Sequence, residues 1–433
     1  MTNQDYLREW YKLDTSAKIY PALESPRNTT LFRISMSLKQ NVDVDVLHQA
    51  LDDIKPRFPY FNVHLRTGLF WNYLEKNDNP SIIWPETPIP CERIYSVYNN
   101  GYLYMIRVHE NRIAVEFSHV LTDGFGGMEF LKTLVAHYLY LHGDLKQSLK
   151  LLFNPGEIPE PQEYEDAFLK VLEIEKDSPK KNDERALFND SKVYKIKDRV
   201  LPVGRYEITS AVVSVSDLKQ IAHQFGVKIT ELLAGLYLEA LLYCQNSQIK
   251  KKSKHRRISM QIPVNMRQFY PIKSMRNFSL FLVPAIDPRE IRNFEDILAA
   301  IRNHMEKNAN RDFLQTMVRD NCALGESKFI AHVPLGIKKM VIRYLANTKG
   351  MTQFSGTISN LGVCRLPKEM EKHVRSMNCI LGPPNDTKTV CTVLGYKDKI
   401  TITFGRTIKH AEIEKHIFRR LVDMGASVEI HSN

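Results

Sequence analysis

One short segment of the chain carries the residue types of acid–base catalysis. His119, Asp123 and Gly124 stand in the sequence Ser-His-Val-Leu-Thr-Asp-Gly, directly after an apolar-rich segment. A histidine can act as a general base because its ordinary pKa of about 6.5 lies near working pH. The aspartate can fold the loop by accepting hydrogen bonds, and the glycine permits close approach of the backbone. The pattern alone also has a purely structural interpretation, since a histidine beside a strand more often makes hydrogen bonds within the fold than takes part in catalysis.

A second segment supplies a partner for the aspartate. The stretch Pro263–Arg267 ends a predicted strand, and Asn277 stands at the start of another. An arginine is always charged and can bind a carboxylate through two parallel hydrogen bonds. We therefore predict that Arg267 pairs with Asp123 and joins two parts of the chain beside His119. The alternative is that Arg267 is an exposed cation in a loop.

The hydrophobic pattern predicts the elements that must position these residues. Alternating apolar residues predict strands at 31–38, 102–108, 112–117, 206–215, 257–264, 277–286, 389–396 and 399–404. Apolar residues at helical spacing predict helices at 45–54, 127–141, 216–226, 230–244, 294–307 and 412–424, with Ser216 and Thr230 as N-caps. Strands and helices are mixed in both halves, which predicts an α/β or α+β protein with mixed sheets.

One acidic segment divides the chain. Between residues 157 and 190 there are 11 acidic and 5 basic residues, a net charge of −6, together with several prolines. This composition is typical of a linker or of a peripheral crossing, partly helical near 163–176. We predict an N-terminal lobe at 1–155, an acidic linker at 156–204 and a C-terminal lobe at 205–433.

Taken together, the motifs resemble those of the chloramphenicol acetyltransferase-like (HxxxD) acyltransferase superfamily. The segments that carry the resemblance occur in the family's order and cover essentially the whole chain: Ala50-Leu51, Arg57-Phe58-Pro59, His119-x3-Asp123-Gly124, Pro263–Arg267, Asn277-Phe278 and Ser359–Gly362. Within the superfamily the chain looks most like bacterial alcohol O-acetyltransferase-type proteins, and it is related to peptide condensation domains. The resemblance implies two chloramphenicol acetyltransferase-like lobes, each a mixed β-sheet flanked by helices, with an active-site tunnel at their interface.

The resemblance also implies a role for each residue of the central motif. His119 would take the proton from an acceptor hydroxyl, amine or thiol as that group attacks a thioester carbonyl. Asp123 would be structural and paired with Arg267. A thioester needs no covalent enzyme nucleophile because the thiolate is a good leaving group. One base can therefore suffice, with a contribution of about 10²–10⁴-fold.

Four further residues are implied as parts of the tunnel. Gly124 would keep the tunnel open for the thiol arm of the donor, and Asn265 would support the loop beside it. Ser359 or Asn360 would line the tunnel or donate a hydrogen bond to the tetrahedral oxyanion. One such hydrogen bond is worth roughly 3 kcal/mol of transition-state stabilisation.

The resemblance predicts an acyl-CoA-dependent acyltransferase that moves an acetyl group to an alcohol. Acyl-CoA would be a cosubstrate, with no permanently bound cofactor and no metal. Two alternatives stay open: a condensation or acyl-release enzyme that depends on an acyl carrier protein, and a non-catalytic binding protein. The chain departs from the family in two ways: Ser118 replaces the first histidine of condensation domains, and the DFGWG motif of plant enzymes is missing.

The charge of the chain narrows the choice of partners. The 433 residues include 60 Lys+Arg and 49 Asp+Glu, a net charge of +11. Because no nucleic-acid-binding motif accompanies this charge, we expect no nucleic-acid partner. A small polyanion such as coenzyme A, or an acidic carrier protein, also suits a basic chain. The basic run at 250–257 is a candidate contact for either, or a solvated loop.

Cysteine usage and hydropathy bear on the compartment. Six cysteines without metal or redox spacing favour reduced thiols, and those at 364 and 379 are read as buried thiols. The first residues contain no apolar core of signal-peptide length, and no stretch reaches the ~20 apolar residues of a membrane span. We therefore expect a cytoplasmic protein without a transmembrane segment.

Overall fold

The computed structural model describes residues 9–176, 192–326, 332–350 and 353–433. The strands are β1 Trp10–Lys12, β2 Leu31–Leu38, β3 Val63–Thr67, β4 Asn72–Lys76, β5 Ile83–Pro85, β6 Tyr104–His109, β7 Arg112–Ser118, β8 Glu207–Ser214, β9 Ile258–Asn265, β10 Ser279–Leu282, β11 Ala285–Ile286, β12 Gly356–Cys364, β13 Val374–Leu381, β14 Thr389–Tyr396, β15 Lys399–Arg406 and β16 Val428–Ser432. The α-helices are α1 Tyr20–Leu23, α2 Val44–Ile54, α3 Gly124–Leu141, α4 Ala167–Ile174, α5 Val215–Gln224, α6 Ile229–Gln248, α7 Phe294–Asn308, α8 Arg311–Glu326, α9 Leu335–Leu345, α10 Lys368–Glu371 and α11 Glu412–Asp423.

The N-terminal lobe is built on a five-stranded mixed sheet. Its order is β13-β2-β7-β6-β5, in which β5 runs parallel to β6 and the other pairs are antiparallel. Strand β7 is almost wholly buried, and helix α3 packs against β2 and β7. The long apolar side of α3 explains this position, because most of its residues are buried.

The C-terminal lobe is built on an eight-stranded mixed sheet. Its main order is β10-β9-β12-β14-β15-β8-β16, with β11 also paired to β9. Strand β12 is parallel to both β9 and β14, whereas the remaining pairs are antiparallel. Helix α6 packs on β9 and β12 and is flanked by α7 and α11. The predicted class, with mixed sheets flanked by helices, is confirmed.

The two lobes share a strand. β13 comes late in the chain but pairs with β2 along Leu38 to Phe32, so that the C-terminal part of the chain completes the N-terminal sheet. Helix α4, inside the predicted linker, packs against α8, and the ring of Phe168 meets that of Phe278 at 5.4 Å. The part of the predicted linker that contains α4 is therefore packed against the C-terminal lobe, and residues 177–191 of that linker lie outside the described residues. The lobe boundaries themselves stay a prediction.

Most predicted elements are present, and the differences have local causes. Helix α3 begins at Gly124 instead of residue 127, because the side chain of Asp123 caps it. The predicted caps Ser216 and Thr230 are wrong: Ser214 caps α5, and Lys228 occupies the N-cap position of α6. Helices α8 and α9 and strands β12 and β13 have no counterpart among the predicted elements.

Candidate active site

His119 follows β7 directly and is held by contacts from several segments. Its backbone N–H donates to the carbonyl of Thr30 at 3.0 Å, and its carbonyl accepts a hydrogen bond from the Asn277 amide at 2.8 Å. The imidazole stacks on Tyr20 at 5.1 Å and lies 4.7 Å from the ring of Phe32, measured between centroids. The backbone hydrogen bonds therefore fix the position of the residue, and the aromatic packing fixes its ring.

The surroundings of His119 favour the neutral imidazole. Its Nδ1 is buried and makes no well-formed hydrogen bond within the described residues. Burial lowers the pKa of His119, and the charge of Asp123, the side chain of Asn277 and the backbone of Thr122 oppose that shift. A neutral imidazole at neutral pH is the form that can accept a proton.

Every oxygen of the Asp123 carboxylate is engaged in the fold. Oδ1 accepts the backbone N–H groups of Phe125 and Gly126, at 3.1 and 3.2 Å, and so caps α3. Oδ2 accepts from Nη1 of Arg267 and from the N–H of Phe278, both at 2.8 Å. Asp123 therefore orders the loop and joins it to the C-terminal lobe, and it makes no hydrogen bond to His119.

Arg267 forms the predicted ion pair and several further contacts. Its Nε and Nη2 donate to the carbonyl of Ser274 at 3.0 and 2.7 Å, and Nη2 also donates to the carbonyl of Arg276 at 2.7 Å. The guanidinium lies 4.4 Å from the ring centroid of Phe125. The pairing of Arg267 with Asp123 is thus present, whereas the alternative of an exposed loop cation is wrong, because the two side chains are 8% and 6% exposed.

The glycines of the loop differ in how strictly they are required. A Cβ on Gly126 would lie 2.5 Å from the carbonyl oxygen of Met275 and 2.1 Å from Oγ1 of Thr122, so no larger residue fits. A Cβ on Gly124 would meet only the side chain of Leu361, at 3.4 Å. Close packing therefore requires Gly126, which sequence reasoning missed, and the role of Gly124 in keeping the tunnel open stays a prediction.

A cavity of about 1050 Å³ opens beside His119 and is lined by both lobes. Of the residues predicted from the sequence, it brings together His119, Gly124, Asn265, Ser359 and Asn360. Asp123 and Arg267 lie behind the wall and do not line it. The predicted tunnel thus has a counterpart in a cavity between β7, β9, β12 and the start of α3.

The two predicted oxyanion donors differ in their availability. Asn360 is engaged, because its Nδ2 donates to Oγ1 of Thr230 at 2.8 Å and its Oδ1 accepts the N–H of Gly362 at 2.8 Å. The hydroxyl of Ser359 makes no side-chain hydrogen bond within the described residues and lines the cavity. Ser359 is therefore the better placed of the two to donate to a bound ligand.

The cations of the cavity come from residues that sequence reasoning missed. Lys228 and Arg302 line it and are exposed, while Lys132 is held by Glu129 at 2.7 Å. The basic run at 250–257 follows the opposite end of α6, whose 20 residues span about 30 Å. That run is therefore not part of the cavity. Lys228 and Arg302 give no sequence signal, because single basic residues are common at helix ends and on the exposed sides of helices.

Cys364 and Cys379 also line the cavity, and both are buried thiols. Burial raises the pKa of each thiol to about 12, so both remain protonated. All six cysteines are buried, as predicted for Cys364 and Cys379, and none forms a disulfide. In the described residues no group of His, Cys, Asp and Glu side chains is arranged to hold a metal ion.

A buried polar cluster on the far side of His119 was missed as well. Nδ2 of Asn277, which donates to the His119 carbonyl, also donates to Oδ2 of Asp14 at 3.0 Å. Burial raises the pKa of Asp14 to about 7, with a further contribution from the charge of Asp166. The charge of Arg276, which is 1% exposed, opposes that shift. The cluster has no motif, because its members lie about 260 residues apart in the chain.

Comparisons of structure place this fold beside those of condensation domains and related proteins. Polyketide synthase associated protein 5 from Mycobacterium tuberculosis is 14% identical with a TM-score of 0.61, over 95% of this chain and 96% of that chain. The starter condensation domain of rhizomide synthetase, solved with C8-CoA and Leu-SNAC, is 10% identical with a TM-score of 0.62, over 96% and 94%. The X-domain from teicoplanin biosynthesis is 11% identical with a TM-score of 0.59, over 96% and 94%.

These likenesses show the fold. The predicted two-lobed architecture of mixed sheets flanked by helices is confirmed, and these neighbours do not single out alcohol O-acetyltransferases. No protein-family model and no curated protein sequence matches the chain. Within the described ranges, no helix combines the length and the apolarity that crossing a membrane requires.

Proposed function

We propose that the protein transfers an acyl group from a phosphopantetheine thioester to a small nucleophile, with His119 as the general base. The observation that carries this proposal is the position of His119. Its ring is locked by Tyr20 and Phe32 and borders a cavity that both lobes line, and burial favours its neutral form. A rigid base at the wall of a large cavity suits a reaction in which two substrates meet head to head.

The steps follow from the groups present. Nε2 of His119 takes the proton of the nucleophile while the lone pair of the nucleophile forms a bond to the carbonyl carbon of the thioester. The hydroxyl of Ser359 donates to the developing oxyanion. The intermediate then collapses, the carbon–sulfur bond breaks, and the imidazolium returns its proton to the leaving thiolate. Asp123 and Arg267 hold the loop in place and exchange no proton.

The identity of the acyl donor is the more specific part of the proposal. Lys228 and Arg302, which line the cavity and are exposed, are suited to a phosphate on the donor arm. The similar folds include a starter condensation domain solved with C8-CoA and a polyketide synthase associated protein. These neighbours favour the carrier-protein-dependent alternative over acetyl transfer from acetyl-CoA to an alcohol. We therefore propose an acyl carrier protein as the donor, with acyl-CoA as its small-molecule counterpart; a cytoplasmic location stays a prediction.

Thiol release from matched donors tests this proposal. The protein is incubated with one acyl group presented on a carrier protein, on CoA and on a short pantetheine-like thiol, together with alcohol and amine acceptors. We expect acceptor-dependent release of free thiol, fastest from the carrier. Fastest release from CoA would restore acyl-CoA as the donor. Release no faster than the uncatalysed background from all three donors would contradict acyl transfer and favour a binding protein.

A further inference from the structure

A second cleft lies on the opposite face of the N-terminal sheet from the cavity beside His119. Phe32 and Leu381 line that cavity and pair with each other across β2 and β13, so their side chains share one face of the sheet. The strand register places Tyr104 on the same face as Phe32. Arg107, three residues further along β6, therefore faces the other side, and it lines the second cleft.

The second cleft has a volume of about 260 Å³. Segments that are far apart in the sequence supply most of its lining, within residues 26–29, 89–95, 200–206 and 383–388. Pockets that hold drug-sized ligands have volumes of about 300–1,000 Å³. The second cleft is somewhat smaller, so it suits a small ligand.

The charge of the second cleft is predominantly positive. Its lining includes five cations and one acid, namely Arg27, Arg93, Arg107, Arg205 and Lys388 against Glu92. Two of the cations are paired, Arg93 with Glu24 at 2.9 Å and Arg107 with Glu116 at 3.3 Å. The other three form no ion pair among the described residues. Even with both partners counted, the second cleft therefore has an excess of two positive charges.

Two of these cations are held in place by hydrogen bonds. Nε of Arg107 donates to Glu116 and Nη1 to the carbonyl of Pro85 at 3.1 Å, and the side chain is only 7% exposed. Nζ of Lys388 donates to the carbonyl of Asn385 at 2.6 Å. The second cleft thus presents a fixed cation from β6 and another from the loop before β14.

The backbone of the second cleft is strained at two positions. Cys91 and Lys388, which both line it, have φ angles of 57° and 66°, in the left-handed region. Residues other than glycine are uncommon in that region, and they cluster at active sites and ligand clamps. The strain therefore supports a binding role for the two loops that carry these residues.

We propose that the second cleft binds a small anion that carries phosphate groups. An arginine can bind two oxygens of a phosphate through parallel hydrogen bonds, and a lysine adds a point charge. Arg27 and Arg205 are exposed and come from different segments, so they can approach a bound anion from two sides. This proposal does not rest on the proposed function, because the sheet separates the second cleft from the cavity beside His119.

Isothermal titration calorimetry of the full chain with inorganic pyrophosphate tests the proposal, at fixed ionic strength. We expect saturable binding by the wild type, and weaker binding of citrate, a carboxylate of similar charge. Arg27→Gln with Arg205→Gln should weaken pyrophosphate binding about tenfold or more. Arg292→Gln with Arg419→Gln is the matched control, because both arginines are exposed and line neither cavity. The control should bind pyrophosphate as the wild type does.

Two further variants keep the test decisive. Glu92→Gln removes the acid from the second cleft and should tighten pyrophosphate binding about two- to fivefold. Lys228→Gln with Arg302→Gln changes the cavity beside His119 and should leave this binding in place.

The proposal would be overturned by a wild type that shows no saturable binding, or by equal affinities of the wild type and the Arg27→Gln, Arg205→Gln variant. Loss of binding only in the Lys228→Gln, Arg302→Gln variant would also overturn it, because the anion would then occupy the cavity beside His119. Tighter binding of citrate than of pyrophosphate would contradict a phosphate ligand.

Discussion

Two buried arginines stand behind His119, and they are partnered very differently. Arg267 donates to the Asp123 carboxylate and to the carbonyls of Ser274 and Arg276. Arg276 is more deeply buried, yet its Nε and Nη2 have no hydrogen-bond partner within the described residues, and its Nη1 reaches only the carbonyl of Leu121 at 3.4 Å. Desolvation lowers the pKa of Arg276.

The difference separates two tasks within one site. The saturated pair of Asp123 and Arg267 joins the loop after β7 to the C-terminal lobe. The loosely partnered Arg276 and the nearby Asp14 form a cluster whose charge changes near neutral pH, because the pKa of Asp14 is raised to about 7. Asn277 connects that cluster to the backbone of His119. We therefore expect the stability of the site to depend mainly on the pair of Asp123 and Arg267, and its pH dependence to come mainly from the cluster of Arg276 and Asp14.

Breaking the saturated pair is expected to have the largest effect on stability. Arg267→Met would leave the Asp123 carboxylate buried without its charge partner, which costs about 3–5 kcal/mol. Unfolding in urea measures the change. Arg66→Met is the matched control, because Arg66 pairs with Glu75 at an exposed site and its loss costs under about 1 kcal/mol. If Arg267→Met lowered the free energy of unfolding as little as the control does, the stabilising role of the Asp123–Arg267 pair would be contradicted.

Removing the titrating acid tests the second half of the comparison. The folded-state pKa of Asp14, about 7, exceeds its ordinary value of 3.8. Its contribution to stability is therefore present below about pH 4 and lost as pH rises through about 7. Relative to Asp14→Asn, the wild type should lose up to about 1.4 kcal/mol per pH unit across that window. Parallel stability curves for the two proteins would rule out a raised pKa.

Removing the loosely partnered arginine is expected to have the smallest effect. Arg276→Met replaces a buried cation with an apolar side chain of similar length. The lost hydrogen bond to Leu121 is long, and two unsatisfied donors disappear with the guanidinium. We expect the free energy of unfolding to change by about 1 kcal/mol or less, in either direction. A loss as large as that of Arg267→Met would show that the two arginines are equivalent.

The sequence identifies the parts of the site that reside in continuous segments. His119 and Asp123 stand in one loop, and Arg267 ends a strand whose pattern is readable. Asn277 stands in one of the segments that carry the resemblance, but its contact with Asp14 forms only in three dimensions, so no local pattern reports that contact. The same reason explains the missed strand β13, whose partner β2 lies more than 300 residues earlier. Thr230 fits the pattern of a cap, yet its hydroxyl accepts a hydrogen bond from Asn360.

The rate of thiol release by His119→Ala tests the central claim most directly. The variant removes the only proton acceptor that we assign, so the rate with saturating donor and acceptor should fall by about 10²–10⁴-fold. His137→Ala is the matched control. His137 forms a 2.8 Å hydrogen bond with Asp53 and does not line the cavity, so the rate of this variant should equal that of the wild type. A folded His119→Ala protein that keeps the wild-type rate would contradict His119 as the base.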